Sequence, residues 1–248
     1  MRSQYRTCAR TRVSEQRRGV MRIGILGSGL MGAKLGTIFA RAGHEVTFSY
    51  SHDPKKLEDL AREAGGRARA GTAREAARQS DVLLLAVHWS RVDDVLEQAG
   101  DLSNKIMLTC SLPMNDDDSA LVVAHTSSGA EQLARKLPNA AVVSAFGTVP
   151  SEVLFAVFEA RTAGPRPSLL YAGDDGRAKA AAASLISDIG FEPVDAGPLS
   201  IARFLEPFSL LIAQLAYETD ESSALAYRFE RFRDDDTGGL TRLELERE

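Results

Sequence analysis

The chain has 248 residues, of which 44% are hydrophobic and 26% are charged, and its formal net charge is −4. This composition excludes a wholly disordered chain and provides no excess of basic residues for binding nucleic acid or an anionic membrane. The sequence also shows no apolar run near the ~20 residues that a membrane span needs. The two cysteines are Cys8 and Cys110, so we expect neither a disulfide framework nor a cysteine zinc site, and we expect a reducing, cytoplasmic location.

The two ends of the chain differ from the middle. Residues 1–20 carry six arginines and one acid, Glu15, without helical or strand periodicity and without the apolar segment of a secretory signal. We expect a disordered leader there, with Met21 as an alternative first residue. Residues 218–248 carry ten acids against five arginines, which predicts a solvated, charged tail.

Between these ends, strand and helix patterns alternate from residue 21 onward. The segments predicted as strands are 22–26, 45–49, 81–87, 105–110, 140–146, 168–172 and 191–195. The segments predicted as helices are 30–42, 55–64, a short one after 72, one after 90, one from about 128, 151–161, 176–189 and 200–217. This repeating order predicts an α/β fold whose mostly parallel sheet is doubly wound.

Several predicted helices begin with capping signals. Asp53 and Pro54 supply a cap and a first-turn proline for the second helix. The sequence TARE at 72–75 is a capping box for a short helix. Ser90, together with Asp93, is expected to cap the helix that follows residue 90.

The sequence MRIGILGSGLMG at 21–32 places three glycines between a predicted strand and a predicted helix. In a dinucleotide site, Gly27 permits the tight turn, Gly29 lets a pyrophosphate approach the backbone, and Gly32 lets the helix pack on the strand. Backbone amides and the positive end of the helix then bind the anion. The alternative is a helix-start turn without a ligand. The predicted pyrophosphate-binding residues are Gly27, Ser28, Gly29, Leu30, Met31 and Gly32.

The end of the second strand, VTFSYSHDPKK, indicates which dinucleotide binds. An NAD site usually places Asp or Glu about 20 residues past the glycines, where it accepts the ribose hydroxyls. Here Tyr50, Ser51 and His52 are followed by Lys55, and these groups suit a 2′-phosphate, which predicts NADP(H). Asp53 has the offset of a ribose-reading acid, but it precedes a proline and is interpreted as a helix cap, so NAD is the alternative.

A third cofactor segment is AVHWS at 86–90, at the carboxyl end of a predicted strand, where open α/β sheets bind ligands. The backbone at Val87 and His88 is expected to pass along the dinucleotide, and Trp89 to cover the nicotinamide. The alternative is that His88 and Trp89 only cover a helix start. The acidic run 116–118 has no His or Cys companion and is interpreted as a solvated turn, so neither a metal site nor a catalytic side chain is predicted.

The sequence resembles the family of NADP reductases that use the deazaflavin coenzyme F420, together with its uncharacterised NAD(P)-binding relatives. The resemblance covers about residues 21–217 and rests on the motifs GILGSGLMG, AVHW, CSLPM, SAFGTVPSEVL and DAGPLSIARFLEP. It implies a Rossmann-type NADP-binding domain at 21–146 and a small α/β second domain at 147–198. It also implies that a final helix, at 199–217, packs back on the first domain.

The resemblance further implies that NADPH lies over the glycine loop, with a deazaflavin or flavin-like ring beside its nicotinamide. The acceptor-site residues carried over by motif are Phe146, Thr148, Val149 and Pro150 near that ring, and Pro198 and Leu199 closing the pocket. One departure is Gly147, where the F420-using reductases typically have a histidine. This difference affects the expected identity of the acceptor more than the expected binding of NADPH. A homodimer with a small-molecule redox acceptor is the expected assembly.

The chemistry of two flat rings agrees with this resemblance. Hydride transfer between heteroaromatic rings needs mainly face-to-face placement, whereas reduction of a ketone also needs a proton donor. The lack of a convincing acid–base pair therefore favours an NADPH-dependent oxidoreductase with a flavin-like or deazaflavin (F420) acceptor. Two alternatives stay open: a non-catalytic NADPH-binding sensor, and a hydroxyacid or imine dehydrogenase. The latter enzymes use a large helical second domain, whereas the short segment after residue 146 includes predicted strands.

Overall fold

The structure, a computed structural model, describes residues 19–219 and 221–230. Within them, eight strands form one sheet in the order β3-β2-β1-β4-β5-β6-β7-β8. The strands are β1 (Arg22–Leu26), β2 (Glu45–Ser49), β3 (Arg67–Ala70), β4 (Val82–Leu85), β5 (Ile106–Thr109), β6 (Ala141–Ala145), β7 (Ser168–Gly173) and β8 (Glu192–Asp195). Neighbouring strands are parallel except for β6 and β7. The predicted Rossmann-type, doubly wound α/β sheet is therefore confirmed.

In the described residues, seven helices connect these strands and an eighth follows β8. They are α1 (Leu30–Arg41), α2 (Pro54–Ala64), α3 (Ala73–Gln79), α4 (Val92–Ala99), α5 (Gly129–Lys136), α6 (Leu154–Glu159), α7 (Gly176–Asp188) and α8 (Ala202–Tyr217). Short 3-10 turns precede α4, α6 and α8 at Trp89–Arg91, Ser151–Val153 and Leu199–Ile201. The one strand that the sequence did not predict is β3, an edge strand of sequence RARA.

Alternate residues of the buried strands face two helical layers. In β4, Val82 and Leu84 pack in the layer that contains α1, α2, α6 and α7, whereas Leu83 and Leu85 pack in the layer that contains α3, α4 and α5. A strand covered on both faces has no polar side, which explains why this segment reads as a continuous apolar run.

Two of the three predicted capping signals are confirmed. Asp53 Oδ1 accepts a hydrogen bond from the backbone N–H of Lys55 at 2.9 Å, and Thr72 forms the reciprocal capping box with Glu75. The prediction for Ser90 was wrong, because its backbone N–H donates to His88 Nδ1 at 3.3 Å within a 3-10 turn. The helix α4 starts two residues later, after this turn.

The segment predicted as a second domain continues the same sheet. Antiparallel β7 pairs with β6, and β8 pairs in parallel with β7. The boundary at residue 147 stays a prediction. The helix α8 contacts α5 through Glu206, whose two carboxylate oxygens accept hydrogen bonds from the backbone N–H groups of Gly129 and Ala130 at 2.9 and 3.0 Å.

Most of the predicted leader and tail lies outside the described residues. The exception is 221–230, where seven of the ten residues are exposed but Tyr227 packs against the core, and the prediction of a solvated tail stays a prediction. The Tyr227 hydroxyl donates to Thr148 Oγ1 at 2.7 Å, and its ring packs edge to face on Phe208 at 5.2 Å between ring centres. The apolar ring is the reason that this segment folds back on the core.

The expectation that no apolar run approaches the length of a membrane span was wrong. Within the described part of the chain, the stretch Leu199–Tyr217 has that length and composition, with a mean hydropathy of 1.3. Of this stretch, 39% is buried in the protein. Core helices of globular proteins meet the same criterion, so this feature alone is weak evidence for a membrane segment.

Candidate functional site

A cleft of about 440 Å³ opens where β1, β2 and β4 end. Predicted cofactor residues that line it are Gly27, Ser28, Gly29, Tyr50, Ser51, His52, Val87 and His88. Residues that line it without having been predicted are Asp53, Lys56, Ala86, Arg91, Asp94 and Gln98. The carboxyl ends of parallel strands are where open α/β sheets bind ligands, so the cleft lies where the sequence placed the dinucleotide.

The glycine loop has the backbone that its predicted role requires. Gly27 has a φ of +123°, and a Cβ atom there would overlap the carbonyl oxygen of Ala86. A Cβ atom on Gly32 would overlap the carbonyl oxygen of Gly27, so the helix lies directly against the loop. At Gly29, in contrast, no described atom lies within 4 Å of an added Cβ. The space over Gly29 is therefore free for a ligand.

The N-terminus of α1 is open to an anion. Among the described residues no side chain caps this helix, and its first turn holds no acid. The helices α2, α3, α5 and α7 are instead capped by the side chains of Asp53, Thr72, Ser128 and Asp175. The first-turn amides of α1 and the positive end of its dipole thus face the cleft without a protein partner of opposite charge.

The end of β2 supplies the polar groups of the cleft as predicted, with one difference. Ser51, His52 and Lys56 line the cleft, whereas Lys55 is not among its lining residues. Successive side chains of a helix point about 100° apart, so Lys55 and Lys56 face different directions and only Lys56 lines the cleft. Asp53 lines the cleft and also caps α2 through its Oδ1.

On the far side of the cleft, the predicted residue Tyr50 forms a cluster with three residues that the sequence analysis missed, Arg91, Asp94 and Gln98. The Tyr50 hydroxyl donates to Asp94 Oδ2, which also accepts from Gln98 Nε2 at 3.2 Å. Arg91 Nε donates to the Tyr50 oxygen at 3.2 Å, and Arg91 Nη2 lies 3.4 Å from Asp94 Oδ2. The i, i+3 and i, i+4 spacing of the three helical residues was the signal available in the sequence.

The cluster fixes the protonation states of its members. Burial and the hydrogen bond to Asp94 raise the pKa of the Tyr50 hydroxyl, so it remains a donor at neutral pH. The hydrogen bonds from Tyr50 and Gln98 lower the pKa of the Asp94 carboxyl, so it remains ionised.

The segment after β4 is only partly at the cleft. Val87 and His88 line it, and His88 Nε2 lies 3.2 Å from Asp118 Oδ1. Trp89 does not line it but packs in the helical layer beside Gly129, so its predicted place over the nicotinamide is not supported. The acidic run 116–118 is exposed, and the described residues contain no group of three metal-ligand side chains.

A second cavity of about 220 Å³ lies on the other side of the start of α1. Its walls are Leu30, Met31, Cys110, Leu112, Gly147, Val149, Pro150, Ser151, Ser209, Ile212, Ala213 and Tyr217. These walls are mostly apolar. They are formed by residues at the start of α1, after the ends of β5 and β6, and on α8. The predicted residues Leu30 and Met31, and the predicted acceptor residues Val149 and Pro150, meet here.

The other predicted acceptor residues lie elsewhere. Phe146 is fully buried and packs edge to face on Phe39, 5.8 Å between ring centres. Its φ of +68° turns the side chain into the core. Thr148 is buried under Tyr227, and Leu199 is buried in the helical layer. Among the residues described, neither Leu199 nor Pro198 belongs to the walls of the two cavities.

The rim of the second cavity carries a polar network. Lys34 Nζ donates to Ser151 Oγ at 3.0 Å, and the Tyr217 hydroxyl donates to Glu152 Oε2 at 2.7 Å. Burial and Glu152 raise the pKa of Tyr217 to about 12. Burial also raises the pKa of the Cys110 thiol to about 12, so at neutral pH this cavity holds a neutral thiol and no thiolate nucleophile.

Comparison with known proteins finds similar oxidoreductases. Residues 22–113 match the family model described as NADP oxidoreductase, coenzyme F420-dependent. The chain resembles the F420-dependent NADP oxidoreductases. It is also 30% identical over 192 residues to Metalloreductase STEAP3 of Rattus norvegicus, an alignment that covers 76% of this chain and 36% of that protein. The chain thus spans little more than a third of the length of this curated relative.

Solved structures share the fold. A candidate F420-dependent NADP reductase from Arthrobacter sp. FB24 superposes with a TM-score of 0.74 at 24% identity, covering 85% of this chain and all of that one. A hypothetical protein of Sinorhizobium meliloti gives 0.67 at 25% identity, over 85% and 97% of the two chains. An imine reductase from Aspergillus terreus, in complex with NADPH4, gives 0.58 at 17% identity, over 80% and 63%.

Proposed function

We propose that this protein is an NADPH-dependent oxidoreductase that transfers hydride between NADP(H) and a flat, flavin-like or deazaflavin acceptor. One observation carries the proposal: the start of α1 separates the two cavities. Gly29 lines the first, and the next residues, Leu30 and Met31, line the second. A dinucleotide whose pyrophosphate lies over Gly29 would therefore extend its nicotinamide into the second cavity.

The residues of the first cleft fit NADP(H). The unfilled space over Gly29 and the uncapped end of α1 suit the pyrophosphate, since free amides and a helix dipole bind anions. Ser51, His52 and Lys56 offer a hydroxyl, an imidazole and a cation to a 2′-phosphate. When bound, NADPH supplies a hydride from its nicotinamide ring, and these side chains hold and orient the adenosine end.

The second cavity suits a flat ring as the acceptor. Leu112, Val149 and Ile212 offer apolar contacts to ring faces, and Ser151 and Tyr217 offer hydroxyl groups at the rim. Alignment of two rings needs no side chain that exchanges protons, because the reacting atoms belong to the cofactor and the acceptor. The function of the chain here is to hold the rings in contact and to exclude water from between them.

An anaerobic assay of NADPH oxidation tests the proposal across coenzyme F420, FMN, FAD, quinones and ferric chelates. We expect turnover with at least one flavin-type or deazaflavin acceptor, and slower turnover with NADH. Turnover with ferric chelates alone would contradict the ring acceptor. Tight binding of NADPH without oxidation by any acceptor would indicate a sensor rather than an enzyme.

We also propose that the protein acts in the cytoplasm as a homodimer. Supporting the dimer are three exposed apolar side chains on one face of α8, Phe204 (63% exposed), Leu211 (53%) and Leu215 (47%). Sedimentation equilibrium tests this. We expect a dimer for the natural chain and a monomer for Leu211→Glu. A natural chain that sediments as a monomer would contradict the assembly.

A further inference from the structure

Two carboxylates line the cleft that suits NADP(H): Asp53, which caps α2, and Asp94, which does not cap a helix. Asp94, on the first turn of α4, lines the cleft beside His52 and Lys56. A free carboxylate near the adenosine ribose accepts the ribose hydroxyls of NAD and repels a 2′-phosphate. The preference for NADP(H) therefore depends on what holds Asp94.

Three donors converge on one oxygen of Asp94. The Tyr50 hydroxyl, Gln98 Nε2 at 3.2 Å and Arg91 Nη2 at 3.4 Å all point at Oδ2. His52 adds an electrostatic attraction to the same carboxylate. A carboxylate that is hydrogen-bonded in this way is less available as an acceptor for a ligand, and its field in the cleft is offset by the neighbouring cation.

Tyr50 is placed for this contact by an unusual backbone. Its φ of +61° is a conformation that a non-glycine residue rarely adopts, and it occurs where the chain leaves β2. The carbonyl oxygen of Tyr50 is held by Ser28 Oγ of the glycine loop at 3.4 Å. The side chain then crosses from the end of β2 to α4, where its oxygen also accepts from Arg91 Nε at 3.2 Å.

We propose that Tyr50 is a specificity-determining residue: by binding Asp94 and positioning Arg91, it keeps the adenosine end of the cleft selective for a 2′-phosphate. Without the hydroxyl, Asp94 loses one of its three donors and becomes more available to ribose hydroxyls, and Arg91 loses one of its two side-chain partners. The side chain acts through Asp94 and Arg91, so its effect is on the choice of nucleotide rather than on hydride transfer. This inference rests on the proposed dinucleotide site.

Two adenosine fragments test the inference without an acceptor. Titration calorimetry compares 2′,5′-ADP with 5′-AMP on the natural chain, Tyr50→Phe, Asp94→Asn and the double variant. We expect the natural chain to bind 2′,5′-ADP at least tenfold more tightly than 5′-AMP. Tyr50→Phe should reduce this ratio by about tenfold, and adding Asp94→Asn to it should restore most of the ratio. Such recovery is specific to a hydroxyl that acts on Asp94.

Two controls separate this effect from a general loss of structure. Each variant is melted by circular dichroism. Tyr171→Phe, which removes a hydroxyl on β7 from a residue outside the lining of both cavities, should leave the ratio unchanged. An unchanged ratio in folded Tyr50→Phe, or a double variant no better than Tyr50→Phe, overturns the inference alone. A natural chain that binds neither fragment overturns the proposed cofactor site and the inference together.

Discussion

Replacing Gly29 by valine tests the pyrophosphate site while leaving the fold intact. The backbone of Gly29, with φ −72° and ψ −171°, is extended, so any residue can adopt it. No described atom lies within 4 Å of the added Cβ, so the side chain has room there and its two methyl groups enter the space of the ligand. We therefore expect Gly29→Val to melt within a few degrees of the natural chain.

The loss of affinity follows from the contacts that the methyl groups displace. A hydrogen bond to a charged group contributes ~1.5–3 kcal/mol, and the pyrophosphate has the first amides of α1 as donors. Loss of one such bond weakens NADPH binding by about ten- to 150-fold. Titration calorimetry measures the dissociation constant directly.

A matched glycine controls for the substitution itself. Gly176, the first residue of α7, also has no described atom within 4 Å of an added Cβ, but Asp175 caps that helix. Gly176→Val should bind NADPH as the natural chain does. If folded Gly29→Val binds NADPH with unchanged affinity, the assignment of the glycine loop to the pyrophosphate is wrong.

Three further predictions concern the second cavity, the phosphate site and stability. Gly147→His should raise the rate with coenzyme F420 relative to FMN, because the F420-using reductases typically have histidine at this position. The substitution has room, since the nearest atom to an added Cβ, the Cys110 carbonyl oxygen, is 3.6 Å away. An unchanged ratio of the two rates would show that this residue does not determine the choice of acceptor. Lys56→Ala should reduce the ratio of NADPH affinity to NADH affinity severalfold, whereas Lys55→Ala should leave this ratio unchanged. The ratio should also fall with added salt. If calorimetry shows the larger loss for Lys55→Ala, Lys55 and not Lys56 binds the phosphate. Burial raises the pKa of Glu206 from 4.5 to about 7, so between these pH values the native state holds a proton that the unfolded chain has released, and the free energy of unfolding should fall by about 3 kcal/mol as the pH rises. Urea titrations at pH 5 and 7 should measure about 2 kcal/mol of this fall, and much less in Glu206→Gln. An equal fall in both proteins would assign it to other groups.

Local signals in the sequence were sufficient for most elements. The continuous apolar run at β4, the capping box of Thr72 with Glu75 and the proline after Asp53 each determine a strand or a helix start through contacts a few residues apart. The strand β3 was missed because its RARA sequence lacks large apolar residues. Its position depends on β2, through Arg67 beside Glu45.

The candidate site was less accessible to sequence reasoning because its members meet only in the fold. Asp94 and Arg91 lie more than 40 residues from Tyr50, so no local pattern joins them. The motif SAFGTVP placed Phe146 near the acceptor, but a positive φ directs its ring into the core. The motif contains residues that line the second cavity, Val149 and Pro150, but the backbone conformation of each residue determined which side chains reach it.

Direct hydride transfer between two rings held in the second cavity is the central claim, and isotope transfer tests it most directly. NADPH carrying deuterium at nicotinamide C4, on the face that the enzyme uses, is incubated anaerobically with the protein and a 5-deazaflavin, whose reduced carbon does not exchange hydrogen with water. Mass spectrometry of the reduced deazaflavin should show one deuterium per molecule. Reduced product that carries only solvent hydrogen would contradict direct transfer, and with it the placement of both rings in the second cavity.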